Sequence, residues 1–167
     1  MKKLIVIAIG LIVAQFTSGA WASPEEWFEL GQGDKLQLQM SPYTRHRTYD
    51  DNHKSVYMIG LERERANGKL DGLNLFTNSF GQPSLYLYPW GGTWHDLWGV
   101  DALSFKWTAG LLYGYVEPYE NKVPLNYNGF SPAAIIAFSY EFTPGWSAQV
   151  NVLGTAALMF QLNMELK

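Results

Sequence analysis

Among the three histidines and ten serines of this 167-residue chain, His46 and Ser79 are a pair whose residue types suit acyl transfer. His46 stands in Tyr43-Thr44-Arg45-His46-Arg47-Thr48-Tyr49-Asp50, and Ser79 follows Asn78 in Leu75-Phe76-Thr77-Asn78-Ser79-Phe80. A serine hydroxyl is a weak nucleophile until a base takes its proton, and a histidine titrating near neutral pH is such a base. Asn78 adds an amide able to orient an imidazole or polarise a carbonyl. Ester chemistry follows only if the fold brings these residues together; by default a rim histidine is interfacial and a loop serine is solvated. His53, in Asp50-Asp51-Asn52-His53-Lys54, reads as solvated loop, and His95, in Gly92-Thr93-Trp94-His95-Asp96, as an interfacial residue. Three scattered histidines without carboxylate spacing make no metal site, and no cofactor is expected. The chain has no cysteine, which removes thiolate ligands and disulfides.

The elements that must position these residues read as strands. From Ala157 to Leu166, Leu158, Phe160, Leu162, Met164 and Leu166 occupy one face, and Met159, Gln161, Asn163 and Glu165 the other. Leu36, Leu38 and Met40 alternate with Gln37, Gln39 and Ser41; Trp146, Ala148, Val150 and Val152 alternate with Ser147, Gln149 and Asn151. Between Leu103 and Tyr115, large apolar residues alternate with Ser104, Lys106, Thr108, Gly110 and Gly114, whose small members suit a narrow interior. Weaker alternation covers 55–65, 70–79, 84–90 and 132–142. Eight strands in all predict an all-β fold, an eight-stranded antiparallel transmembrane up-and-down β-barrel. Turns are expected at Ala66-Asn67-Gly68-Lys69, at Thr143-Pro144-Gly145 and at Gly154-Thr155, with the longest loop at 117–131. With both termini on the periplasmic side, loops 47–54, 80–83, 117–131 and 154–155 share the outer rim. Loops 66–69, 91–99 and 143–145 share the other. His46 ends strand one and Ser79 ends strand three, so both reach the outer rim.

The amino-terminal segment is expected to be an export signal. Lys2 and Lys3 precede the apolar run Leu4 to Ala14, and Ala20-Trp21-Ala22 supplies a small-x-small cleavage pattern. The apolar run is too short for a membrane-spanning helix, which needs about 20 residues. Residues 1–22 are therefore read as signal peptide and 23–167 as the barrel. Removing the leader leaves 10 basic and 15 acidic residues, a formal charge of about −5. A mildly acidic chain without a basic run argues against a nucleic-acid partner. Aromatic residues make up 16% of the chain, with seven Trp and ten Tyr, a richness that suits interfacial girdles. Pro42 interrupts strand one, while Pro124 and Pro132 flank the start of strand six. Proline withholds a ladder donor, so each marks a strand end, a bulge or a locally open seam.

In order and spacing these segments resemble the lipid A palmitoyltransferase family (PagP). Arg45-His46-Arg47-Thr48-Tyr49-Asp50 is similar to the family's Trp-His-x-Arg-Phe-x-Tyr-Asp segment, with Arg45 in place of the Trp. Ile59-Gly60-Leu61-Glu62-Arg63, Asn67-Gly68 and Leu75-Phe76-Thr77-Asn78-Ser79 match in order its Gly-Leu strand, its turn, and its strand ending Asp-Ser. Lys122-Val123-Pro124-Leu125 and Val152-Leu153-Gly154-Thr155 resemble its Tyr-Ile-Pro-Leu and Ile-Pro-Gly-Thr. The likeness runs over most of the chain from residue 43. It departs in Asn78 for the family's Asp, in a shortened amino-terminal amphipathic segment (Pro24 to Leu30), in a shorter first outer loop, and in Leu166-Lys167 for a terminal Phe.

The resemblance implies an outer-membrane enzyme moving a palmitoyl chain from the sn-1 position of a phospholipid donor to a hydroxyl of a lipid A acceptor. His46, Asn78 and Ser79 would be its catalytic group. The lumen would hold the acyl tail, with Met58, Gly60, Leu112, Gly114 and the inward face of strand four as candidate lining. Lipids would enter sideways near Pro42 and near Pro124/Pro132. Trp90 or Gly91 would set chain length, and Arg45, Arg47 and Lys54 would meet lipid A phosphates. A monomer is expected, and Asn78→Asp is expected to retain activity. The alternative is a non-catalytic eight-stranded barrel that anchors or binds lipopolysaccharide. A lipid A deacylase would instead carry a His-x-Ser pair on the lipid-facing side of one strand, and no such pair is expected here.

Overall fold

Alternation along the chain becomes a wall whose two sides differ in polarity. The computed structural model describes residues 30–48 and 50–166. The expected signal segment 1–22, the stretch Pro24 to Glu29, Tyr49 and Lys167 lie outside the described residues. Eight strands run in chain order: β1 (Lys35–His46), β2 (Met58–Glu64), β3 (Leu70–Thr77), β4 (Pro83–Trp94), β5 (Leu103–Tyr113), β6 (Phe130–Thr143), β7 (Trp146–Leu153) and β8 (Ala157–Glu165). Each pairs antiparallel with its chain neighbours, and β1 pairs with β8 to close the barrel. On β8, Met159, Gln161 and Asn163 are buried, while Leu158, Phe160 and Leu162 are each nearly 40% exposed. Gln39, Glu62, Lys106, Ser139, Gln149 and Asn151 are likewise buried, and Ile59, Leu75, Leu111, Ile136 and Phe142 are exposed. The polar side of the wall faces in and the apolar side out, the reverse of a water-soluble barrel. Gly110 belongs to this wall because its neighbour comes too close for any side chain: a Cβ there would lie 2.0 Å from the Leu87 carbonyl oxygen.

Several strand ends differ from the sequence reading, each for a local reason. β4 continues to Trp94 instead of ending near residue 90. Gly91 and Gly92, read as turn residues, are strand residues; a Cβ on Gly91 would lie 2.8 Å from the Trp107 carbonyl oxygen. Pro89 cannot donate to the ladder, and the register slips by one residue between Leu87 and Trp90. That bulge reverses the facing of the residues beyond it, so Trp90 is 60% exposed on the outside while Thr93 is buried within. Upstream, β2 begins at Met58, later than the alternation from residue 55 suggests. β6 begins at Phe130 and carries Pro132 within it, opposite Leu111.

Two seams open toward the same end of the barrel. The β1–β2 ladder stops at Ser41↔Met58, leaving residues 42–46 paired with β8 alone. At Pro42 the β1–β8 register shifts, and the Ser41 hydroxyl donates to the Phe160 carbonyl at 2.7 Å. On the other side the β6–β7 ladder begins only at Ile136↔Val152, so 130–135 pairs with β5 alone. Loops 47–57, 78–82, 114–129 and 154–156 gather at this end, tied by Lys54 N–H to the Ser79 carbonyl and Arg47 N–H to the Ala156 carbonyl, both 2.8 Å.

Farther into the barrel, buried polar side chains meet one another across the lumen. Lys106 Nζ meets Glu62 Oε1 at 2.7 Å, and the Tyr88 hydroxyl donates to Glu62 Oε2 at 3.0 Å. Gln149 donates to Asn151 at 2.7 Å and Asn151 to Gln161 at 2.8 Å, an amide chain across β7 and β8 that continues into the wall of the cavity described below. Buried polar groups on this scale are tolerable only when mutually satisfied, and here they serve as one another's partners.

Candidate functional site

Above those polar groups lies a cavity of about 500 Å³ that reaches the open-seamed mouth. This is within the roughly 300–1,000 Å³ of small-molecule sites. Met58, Phe76, Leu112, Leu153 and Met159 line its upper part; Gln39, Glu62, Tyr88 and Lys106 form its floor. The expected lining is therefore right for Met58 and Leu112. The inward face of β4 is different in kind: Ser84, Tyr86 and Tyr88 are buried there, aromatic and polar instead of aliphatic. Gly60 and Gly114 add no lining surface of their own, because Asn74 fills the space above Gly60 and Ser84 that above Gly114.

His46 and Ser79 both line this cavity at its mouth. Their strands end on the same rim, and His46 Nε2 lies 2.6 Å from Ser79 Oγ. With the proton on Nδ1, Nε2 accepts the Ser79 hydroxyl hydrogen, the geometry in which an imidazole generates an alkoxide-like nucleophile. Among the described residues, Nδ1 of His46 has no hydrogen-bond partner. Tyr115, which sequence reading left out, also borders the cavity, as Ser79 does. Burial pushes its phenol above the usual range, and Ser79 partly offsets this. Period-two alternation along β5 would set it on the outward face with Tyr113, so the sequence carried no signal for its place at the cavity.

Asn78 lies at the outward end of β3 as expected, but its amide is turned away from the imidazole. Its Nδ2 donates to the Gly114 carbonyl and to Gln82 Oε1, both at 3.1 Å. Its Oδ1 accepts the N–H groups of Phe80 and Gln82, both at 3.0 Å. The amide is only 1% exposed and fully committed to holding the 78–82 turn against the end of β5. It touches neither His46 nor the cavity. Position 78 thus shapes the backbone that presents Ser79, and the expectation that Asn78→Asp is harmless loses its basis.

The other candidates spread around the rim and wall. Arg45 faces outward from β1, and Arg47 and Lys54 stand on the loop after it; all three are exposed. Trp90, outside the lumen, cannot gauge its depth; that expectation is corrected by the bulge at Pro89. The chain does contain a His-x-Ser tripeptide, His53-Lys54-Ser55, but it lies in the loop between β1 and β2 and not on a strand. Asp50 in that loop is held below the usual carboxylate range, chiefly by the Asn52 backbone N–H and then by its side chain. At the far mouth, His95 bridges Glu64 Oε1 at 2.6 Å and Ser104 Oγ at 3.0 Å. Among the described residues no group of three or more His, Asp or Glu side chains is placed to hold a metal ion. Compared with known proteins, the chain matches no family model and no curated protein.

Proposed function

We propose that this barrel sits in a bacterial outer membrane and transfers a palmitoyl chain from a phospholipid to lipid A, with His46 and Ser79 as its reacting pair. The observation that carries this reading is the 2.6 Å Nε2–Oγ contact standing over a cavity with an apolar upper wall. The apolar exterior supports the membrane setting, since a closed barrel leaves no unpaired sheet edge in hydrocarbon. The resemblance to lipid A palmitoyltransferases supports the substrate pair. Donor and acceptor both lie in the bilayer, and the seams beside Pro42 and Pro132 lie where a lipid chain would pass from it into the cavity.

In this scheme the donor's acyl tail occupies the cavity and its ester carbonyl rests at the mouth, beside Ser79. The bond from acyl carbon to glycerol oxygen breaks, and one to the lipid A hydroxyl oxygen forms. The proton leaves the attacking hydroxyl to His46 and is returned to the departing lysophospholipid oxygen, so charge and atoms balance. If Ser79 attacks first, its proton passes through His46 to the lysophospholipid oxygen, and in a second step the lipid A hydroxyl proton passes through His46 back to Ser79. If lipid A attacks directly, a single transfer suffices. Arg45, Arg47 and Lys54 offer cations for the acceptor's phosphates at the same rim.

The second reading is a lipopolysaccharide-binding barrel without catalysis, favoured by the lack of any hydrogen-bond partner for His46 Nδ1 among the described residues. Mass spectrometry of lipid A from cells with wild-type protein, Ser79→Ala protein or none separates the two. Transfer adds the mass of one palmitoyl group in the wild type alone. An unchanged spectrum with wild-type protein inserted at normal levels rejects the enzyme.

A further inference from the structure

We propose that His53 is the positioning residue of this site, its ring holding the His46 imidazole in place of the carboxylate that position 78 does not supply. The inference rests on the acyl-transfer reading and extends it to a residue that reads as plain solvated loop in the sequence. The rings of His46 and His53 stack with centroids 4.0 Å apart and planes 28° from parallel. His53 in turn lies 5.5 Å from Phe80, which stacks on Tyr119 at 4.2 Å and is 7% exposed. The column therefore runs from the reacting imidazole through His53 and Phe80 to the long outer loop.

The reason such a column matters is the unpartnered Nδ1 of His46. In a serine–histidine pair the second ring nitrogen usually fixes the imidazole's rotation by bonding a carboxylate. Here that nitrogen bonds nothing among the described residues, so rotation about the ring's last torsion is opposed only by Ser79 and by packing. A flat ring stacked on one face supplies that packing. The loop bringing His53 there is pinned by its backbone. His53 N–H donates to the Asp50 carbonyl at 2.9 Å, and Lys54 N–H to the Ser79 carbonyl at 2.8 Å. The loop thus joins the serine's own backbone, and neither bond needs the His53 side chain. Removing the ring takes away the stack and leaves the clamp.

The test uses the full-length mature protein in detergent micelles with a phospholipid carrying labelled palmitate at sn-1 and lipid A as acceptor. His53→Ala is expected to lower kcat by about 10- to 100-fold with KM little changed, since a misaligned base costs rate and not substrate affinity. His53→Phe, which restores a flat ring without an ionisable group, is expected to recover most of kcat. Wild-type kcat in His53→Ala overturns the proposal, and so does a His53→Phe protein as slow as His53→Ala. Wild-type protein that transfers nothing defeats the acyl-transfer reading itself, and is recognised by Ser79→Ala being no slower. Nitrogen spectra of His46 guard against a folding artefact. A His46 tautomer and Ser79 bond unchanged by His53→Ala overturn the proposal, whatever the rates.

Discussion

Each mouth of this barrel carries a histidine hydrogen-bonded to a serine, and the two pairs differ in what surrounds them. At the far mouth His95 joins Ser104 at 3.0 Å and Glu64 at 2.6 Å, giving the serine–histidine–carboxylate order associated with nucleophilic catalysis. At the seamed mouth His46 joins Ser79 at 2.6 Å with no carboxylate. Yet the 500 Å³ cavity borders His46 and Ser79 and neither His95 nor Ser104. The comparison teaches that a hydrogen-bond pattern is not a site. A nucleophile needs a place for the carbonyl it attacks, and the cavity supplies one beside Ser79. Glu64, His95 and Ser104 tie the ends of β2, β4 and β5 together, a bracing role.

The comparison breaks most sharply under substitution of the two serines. Ser79→Ala or His46→Ala is expected to lower palmitoyl transfer by about 10³-fold or more while the barrel still folds, measured by product mass on lipid A. Inside the lumen, Lys106→Met leaves Glu62 buried without its cation. A loss of about 3–5 kcal/mol in denaturant-induced unfolding is expected. A charged Asp at position 78 would lose two donated bonds and face the Gly114 carbonyl and Gln82 Oε1. Asn78→Asp is expected to destabilise the protein by about 1–3 kcal/mol and to slow transfer, seen by unfolding and rate together. Smallest of all, Ser104→Ala should leave transfer unchanged; a loss matching that of Ser79→Ala would move the reaction to the far mouth.

Period-two alternation made the eight strands and the shared rim of His46 and Ser79 legible, because a strand's side chains must alternate and an up-and-down barrel must return odd strand ends to one side. The features that stayed hidden depend on contacts between distant segments. The bulge at Pro89 reverses the facing of Trp90, and alternation alone carries no sign of it. Asn78 is spoken for by Gly114, a carbonyl on another strand's end. The Glu62–Lys106 pair joins β2 to β5, and nothing in either segment names the other. His53 was passed over for a general reason: a polar run predicts a solvated loop, and only the fold shows the loop doubling back over the mouth.

The central claim is that the cavity under His46 and Ser79 receives an acyl chain from the bilayer. Phospholipid with a photoreactive group near the end of its sn-1 palmitoyl chain tests this most directly, with protein in bilayers and cross-linked residues identified by peptide mass. The account predicts adducts on inward-facing Met58, Phe76 or Met159. Adducts confined to outward-facing residues such as Leu158 and Phe160 would contradict it.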